Sequence, residues 1–219
     1  MRILILGAGA MGTALAGIMS RHGQVRLWCR EEELHKTLVE ERENRIFLPG
    51  YRLPEAVDVF SGKAVDLAQF DLLVLAIPTQ YMRPTLAELG MSDFRGPVVS
   101  IAKGLELGSF LTPCQVLEDI GFAESTICAL SGPSHAEEVC RDLPTSVVIA
   151  GDDAVLLEKI LPFFCGPGFR PYYCEDRLGV GLGGALKNII ALAAGISDRL
   201  GFGLNAKASL LNRGLAEIR

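Results

Sequence analysis

A glycine turn wedged between two apolar segments opens the chain and constrains everything after it. Ile3-Leu4-Ile5-Leu6 runs into Gly7-Ala8-Gly9-Ala10-Met11-Gly12, which opens into Thr13-Ala14-Leu15-Ala16-Gly17-Ile18-Met19. The order predicts strand, tight turn, helix. Gly7 permits the turn out of the strand, Gly9 keeps a Cβ out of the path of a pyrophosphate, and Gly12 lets the helix lie close on the strand. The free N–H groups of a helix start attract phosphate. A G-x-G-x-x-G pattern alone is weak, but directly after an apolar run and before a helix it points to a dinucleotide site. The same residues could be read as a secretory leader ending in Ala14-Leu15-Ala16. Glycines interrupt its would-be apolar core, and Gln24-Val25-Arg26-Leu27-Trp28-Cys29-Arg30 follows at the distance of a second strand, so that reading is set aside.

The rest of the chain alternates strands and helices. Strands are expected at Val57–Phe60, Asp71–Pro78, Val98–Ala102, Thr126–Leu130, Pro144–Ala150 and Phe169–Tyr173, with helices at about 32–43, 81–89, 113–120 and 152–164. Gly23 is expected to close the first helix as a C′ residue, and Asn44–Gly50 to be a loop whose Phe47 either faces a cofactor or plugs the core. Asp71–Pro78 reads as a central parallel strand buried on both faces. The pattern predicts an α/β fold, a doubly wound Rossmann-type sheet over residues 1–177, followed by the start of an all-α domain over 178–219.

Ligands of open α/β sheets bind beyond the carboxyl ends of the strands, and polar residues cluster there. Arg30 follows the second strand, where it either pairs with a 2′-phosphate, permitting NADP, or caps the strand while Glu31 meets the ribose. Lys103 follows the fifth and is either a site cation or a surface lysine. Ser131-Gly132-Pro133-Ser134-His135-Ala136 ends the sixth and suits an anion or polyol; His135 is as readily a packing residue and is given no catalytic role.

Beyond residue 178 the texture changes to a long apolar helix rich in Gly and Ala. Val180, Gly183, Gly184, Lys187, Ala191 and Ala194 fall near one stripe of it, and one ammonium projects from them. Buried beside a cofactor, Lys187 would have a lowered pKa and could act as acid and base. The charge at its centre makes this a buried helix rather than a membrane span. Net charge is −5 without basic runs, which excludes nucleic acid as a main partner. The six cysteines, at 29, 114, 128, 140, 165 and 174, form no C-x-x-C pair and no ligand cluster with the three histidines. Buried reduced thiols in the cytoplasm are expected, and no metal.

Six stretches together make the chain resemble the bacterial NAD(P)-dependent glycerol-3-phosphate dehydrogenase family: GAGAMGTALA (7–16), NRIFLPG (44–50), AIPTQ (76–80), AKGLE (102–106), SGPSHAEEV (131–139) and GGALKNIIALAAGISDRLGFGLNAKASLLNRGLAEI (183–218). The resemblance runs the length of the chain, and its last two blocks are the most specific. It implies reversible hydride transfer between NAD(P)H and dihydroxyacetone phosphate, giving sn-glycerol 3-phosphate for phospholipid synthesis. It implies Lys187 as general acid/base and Lys103 as shared by nicotinamide and substrate. Gly132 and Ser134 would be substrate contacts; Gly7, Gly9, Ala10, Met11, Gly12, Arg30, Phe47 and Ala136 would hold NAD or NADP. A homodimer is open.

The chain departs from the family pattern in three places. Ala10-Met11 stands where serine and an aromatic are common, leaving one phosphate contact to backbone alone, and Leu204 stands where relatives often carry aspartate. Glu217-Ile218-Arg219 carries no helix stop signal, so the family's C-terminal helical half is expected to be mostly absent. That absence implies weak cofactor binding, little or no turnover, and self-association through an uncovered apolar face. Two other functions compete: another 6-phosphogluconate or β-hydroxyacid-type dehydrogenase, or a nucleotide-binding fragment without catalysis.

Overall fold

Strands with no polar face form the middle of the molecule, and their order creates the site. The computed structural model describes residues 1–63 and 65–218. Its elements in chain order are β1 (Arg2–Leu6), α1 (Ala10–Met19), β2 (Gln24–Trp28), α2 (Glu32–Glu40), β3 (Glu43–Asn44), β4 (Leu48–Arg52), β5 (Val57–Phe60), β6 (Leu72–Leu75), α3 (Thr79–Glu88), β7 (Val98–Ser100), α4 (Pro113–Asp119), β8 (Ile127–Ser131), α5 (Ala136–Val139), β9 (Thr145–Gly151), α6 (Ala154–Ile160), β10 (Phe169–Cys174), α7 (Arg177–Arg199) and α8 (Gly203–Ile218).

The main sheet runs β10-β9-β8-β7-β6-β1-β2-β5. From β5 to β8 all neighbours are parallel. In sequence order those six strands are 3-2-1-4-5-6, so the winding reverses between β1 and β6 and opens a crevice at their carboxyl ends. Side chains alternate across the sheet with period two. Ile3, Ile5, Leu72, Val74 and Val99 join one buried cluster with α1, while Leu4, Leu6, Leu73, Leu75 and Val98 join another beneath α3 and α4. The doubly wound sheet read from the sequence is the one observed.

Three local expectations are corrected, and one feature that the sequence leaves open is added. Gly23 is not a left-handed C′ residue: α1 stops at Met19 with Ser20 as its cap, and a Cβ on Gly23 would lie 2.6 Å from the Met1 carbonyl oxygen. Close chain approach, not positive φ, requires that glycine. Residues 44–50 are no plain loop, because β3 and β4 pair as a small antiparallel sheet. β8 pairs with β9 antiparallel, so β9 and β10 run against the other six strands, a reversal that apolar runs do not encode. Finally, α7 is not buried all round. Its Gly/Ala side packs on β8, β9 and α4, but Leu178, Ile189, Leu192 and Ile196 are exposed. Ala191, placed on the inward stripe by the sequence, is exposed too. By length and apolarity alone α7 could cross a membrane.

The six cysteines are unpaired thiols. Cys29, Cys114 and Cys128 are buried and the other three partly so; desolvation pushes the Cys114 and Cys128 thiols up to about 12, which makes them poor nucleophiles.

Candidate active site

The glycine turn lies at the point where the sheet reverses. Gly7 has φ +111°, and a Cβ there would stand 2.6 Å from the Ala76 carbonyl oxygen, just past β6. At Gly12 a Cβ would stand 2.0 Å from the Gly7 carbonyl oxygen, so helix and turn touch through backbone. Gly9 differs from both: a Cβ there would meet nothing within 4 Å, and no side chain caps the start of α1. The space in front of Gly9 and the bare helix start form a cradle fit for a pyrophosphate. A cavity of about 490 Å³ continues from it, bringing Gly7, Gly9, Arg30 and Phe47 together with Trp28, Glu31 and Tyr81. Ala10, Met11 and Gly12 form the first turn of α1. Ala136 is buried in the core below it, and α5 packs on α1.

A residue without an assigned role holds this cradle together. Asn44 is 0 % exposed. Its Nδ2 donates to the Ala8 carbonyl and to Thr13 Oγ1, both at 2.8 Å; its Oδ1 accepts from the Phe47 amide at 3.0 Å. The β3–β4 hairpin, the glycine turn and the rim residue Phe47 are thereby tied to one another. The only hint in the sequence is an asparagine three residues before an aromatic, and its two donated bonds cross 36 and 31 residues.

The second group of predicted residues meets at the carboxyl ends of β7 and β8. Thr79 Oγ1 donates to the Lys103 carbonyl at 3.0 Å. The Gln80 side chain donates to the Leu105 carbonyl and accepts from the Leu107 amide. The segment after β7 is therefore fastened to the start of α3. Lys103 Nζ reaches over to the Gly132 carbonyl at 3.4 Å, and Ser134 Oγ donates to that carbonyl at the same length. On the other side α7 approaches closely: a Cβ on Gly184 would lie 2.8 Å from Ser131 Oγ. This brings Lys187 into an open cavity of about 330 Å³ with Ser131, Gly132 and Gly184.

Two ammonium groups thus share one edge of the sheet. Although the Lys103 residue is exposed along its length, desolvation first, and then the neighbouring Lys187, bring its pKa from 10.5 down to about 8. The sequence alone gives no sign of this effect on Lys103, because it needs Lys187, 84 residues further on, to stand beside it. A lysine pair beside a backbone carbonyl has the chemistry of a proton donor and a fixed cation, and Lys103 is bonded to Thr79, the neighbour of Pro78 in the lining of the Gly9 cavity.

Comparison with known proteins decides the family. The profile of the NAD-dependent glycerol-3-phosphate dehydrogenase N-terminus matches residues 2–156, and that of the C-terminus matches residues 176–219. The chain belongs to the NAD-dependent glycerol-3-phosphate dehydrogenase family. A curated glycerol-3-phosphate dehydrogenase [NAD(P)+] from Chlorobium luteolum is 42 % identical over 222 residues, covering 100 % of this chain and 67 % of that protein. One from Thermus thermophilus is 45 % identical over 221 residues with the same coverage. The crystal structure of the enzyme from Coxiella burnetii superposes with a TM-score of 0.88 at 33 % identity, covering 99 % of this chain and 67 % of that one. The Plasmodium falciparum enzyme gives 0.91 at 27 % identity, over 100 % of this chain and 64 % of its own. The chain spans about two thirds of the length of the curated relatives it matches.

Proposed function

We propose that this chain carries the hydride-transfer centre of a glycerol-3-phosphate dehydrogenase, acting between NAD(P)H and dihydroxyacetone phosphate. The observation that supports it best is the convergence of Lys103, Gly132 and Lys187 at the carboxyl edge of the sheet, the edge that also carries the Gly9 cradle. Gly7, Gly9 and Gly12, with the α1 start at Ala10 and Met11, would hold the pyrophosphate. Arg30 would take a 2′-phosphate, Phe47 would close the rim, and Ala136 would add a backbone contact.

A bound reduced nicotinamide supplies the hydride. The chain's own task is to place the ketone and deliver one proton. Lys187, as ammonium, gives its proton to the C2 oxygen as that oxygen becomes an alcohol, and takes one back in the reverse direction. The Lys103 ammonium faces the charge that develops on that oxygen, where a preformed cation is most effective. Gly132 and Ser134 hold the polar end of the substrate. Residues 1–177 serve as the dinucleotide-binding unit and 178–219 as the beginning of the substrate domain. We further infer a cytoplasmic protein whose exposed α7 face is covered by protein rather than lipid, a second copy of the chain being one such cover.

The test is a substrate panel with both reduced cofactors. Oxidation with dihydroxyacetone phosphate and none with a hydroxy- or keto-carboxylate supports the proposal; the reverse pattern would favour a β-hydroxyacid-type dehydrogenase.

A further inference from the structure

The element that brings Lys187 to the site starts at the opposite edge of the sheet. Because β9 and β10 run against β8, the chain leaves β10 at the amino-terminal end of β8, and α7 then climbs alongside β8 to its carboxyl end. The two lengths agree. Ten residues of helix from Arg177 to Lys187 rise about 15 Å, and the five residues of β8 span about 13 Å between first and last.

Arg177, the first residue of α7, is only 8 % exposed. Its guanidinium donates to Asp152 at 2.7 Å, to Glu124 at 3.4 Å and to Glu118. Those carboxylates come from the turn after β9, the segment just before β8 and the end of α4. Asp176 Oδ1 accepts from the Gly179 amide at 2.7 Å and fixes the first turn. Further along, the close approach of Gly184 to Ser131 leaves no slack for a side chain. A helix held at its foot by a forked, multidentate ion network has its axial position and rotation set there.

We propose that Arg177 is the positioning residue of the lysine pair: clamping the foot of α7 sets the height at which Lys187 stands beside Lys103 and Gly132. The proposal rests on the reading of those lysines as the reacting pair, but its test needs neither cofactor nor turnover. Lys103 reports on Lys187, whose nearness is one cause of its lowered pKa. Lysine side chains are dimethylated with a ¹³C label and Lys103 is titrated by NMR, its signal assigned through Lys103→Arg.

The reference is Lys187→Ala, in which Lys103 titrates higher. Releasing the clamp without stranding charge, by Arg177→Met with Glu118→Gln and Asp152→Asn, should move the Lys103 titration up by the same amount. Adding Lys187→Ala to that variant should then change nothing further. Asp152→Asn alone, a milder lesion at a half-exposed partner, should move it part of the way and serves if the triple variant does not fold. A folded variant in which Lys103 keeps its wild-type titration, and still responds to Lys187→Ala, overturns the proposal. The hydride-transfer reading fails separately, in the substrate panel, whatever this titration shows.

Discussion

Asn44 and Thr13, thirty-one residues apart, are joined by a buried hydrogen bond of 2.8 Å from Asn44 Nδ2 to Thr13 Oγ1. Through it, and through the companion bond to Ala8, the small β3–β4 sheet becomes part of the glycine turn's support. Asn44→Ala would remove three bonds, to the Ala8 carbonyl, Thr13 Oγ1 and the Phe47 amide, and strand the buried carbonyl, each bond being worth on the order of 1 kcal/mol when made and more when left unmet. The expected loss is about 2–3 kcal/mol, or a Tm lower by roughly 5–10 °C for a chain of this size. NADPH affinity should fall about tenfold, because Phe47 and the turn lose their common anchor. Thermal melts and fluorescence titration measure the two effects.

Gly9 and Gly12 should behave in opposite ways although both belong to one motif. Gly9 has an extended backbone and open space where a Cβ would go. Gly9→Ala should therefore fold with a change below about 1 kcal/mol and yet lose most NAD(P)H binding. Gly12→Ala drives a methyl into the Gly7 carbonyl, and the overpacking should cost about 3 kcal/mol. Chemical denaturation beside cofactor titration separates them. Equal destabilisation by both substitutions would contradict the assignment of Gly9 to the ligand.

Lys103 should titrate far below an ordinary lysine. Its pKa is about 8 in the folded chain against 10.5, so the unfolded chain binds the extra proton between those values. The contribution of Lys103 to stability therefore rises with pH across the window from about 8 to 10.5. At pH 8 about half of Lys103 is a free amine, and acetylation followed by peptide mapping should find it modified faster than the exposed Lys36. Mutating Lys187 to alanine should slow that reaction.

Arg30 lines the cofactor cavity with Glu31 beside it. If the guanidinium meets a 2′-phosphate, Arg30→Ala should weaken NADPH binding by about 1.5–3 kcal/mol, the strength of a hydrogen bond to a charged group, and leave NADH binding within twofold. Titration of the variant with both cofactors is the measurement; an equal loss for both would retire the role.

The sheet was legible because its strands are short apolar runs with β6 unbroken at its centre, and because Gly7, Gly9 and Gly12 carry steric information in their spacing. Lys103 and Gly132 stood out at the carboxyl ends of strands, and Lys187 as the one charge on the Gly/Ala stripe of the long helix. What the sequence did not display has one physical character: it depends on contacts between distant segments. The antiparallel β8–β9 pairing arises from where the chain returns, and apolar strands carry no mark of direction. Gly23 looks like any helix-ending glycine until Met1 is seen against it. Arg177 reads as an ordinary charge at a helix start, because its three carboxylates lie 25 to 59 residues upstream. The exposed flank of α7 was missed because a run of apolar residues shows that a surface is apolar, not that something covers it.

The most direct measurement is a single-turnover transfer with the chain in stoichiometric amount. NADPH deuterated at the transferring position is incubated with dihydroxyacetone phosphate, and the product is examined by mass spectrometry and NMR, in wild type and in Lys187→Ala. The expected result is glycerol 3-phosphate with deuterium at C2, formed at least about a hundredfold more slowly by the variant while NADPH affinity is kept. No labelled product from the wild type, or as much from Lys187→Ala, would contradict the assignment of the lysine pair as the hydride-transfer centre.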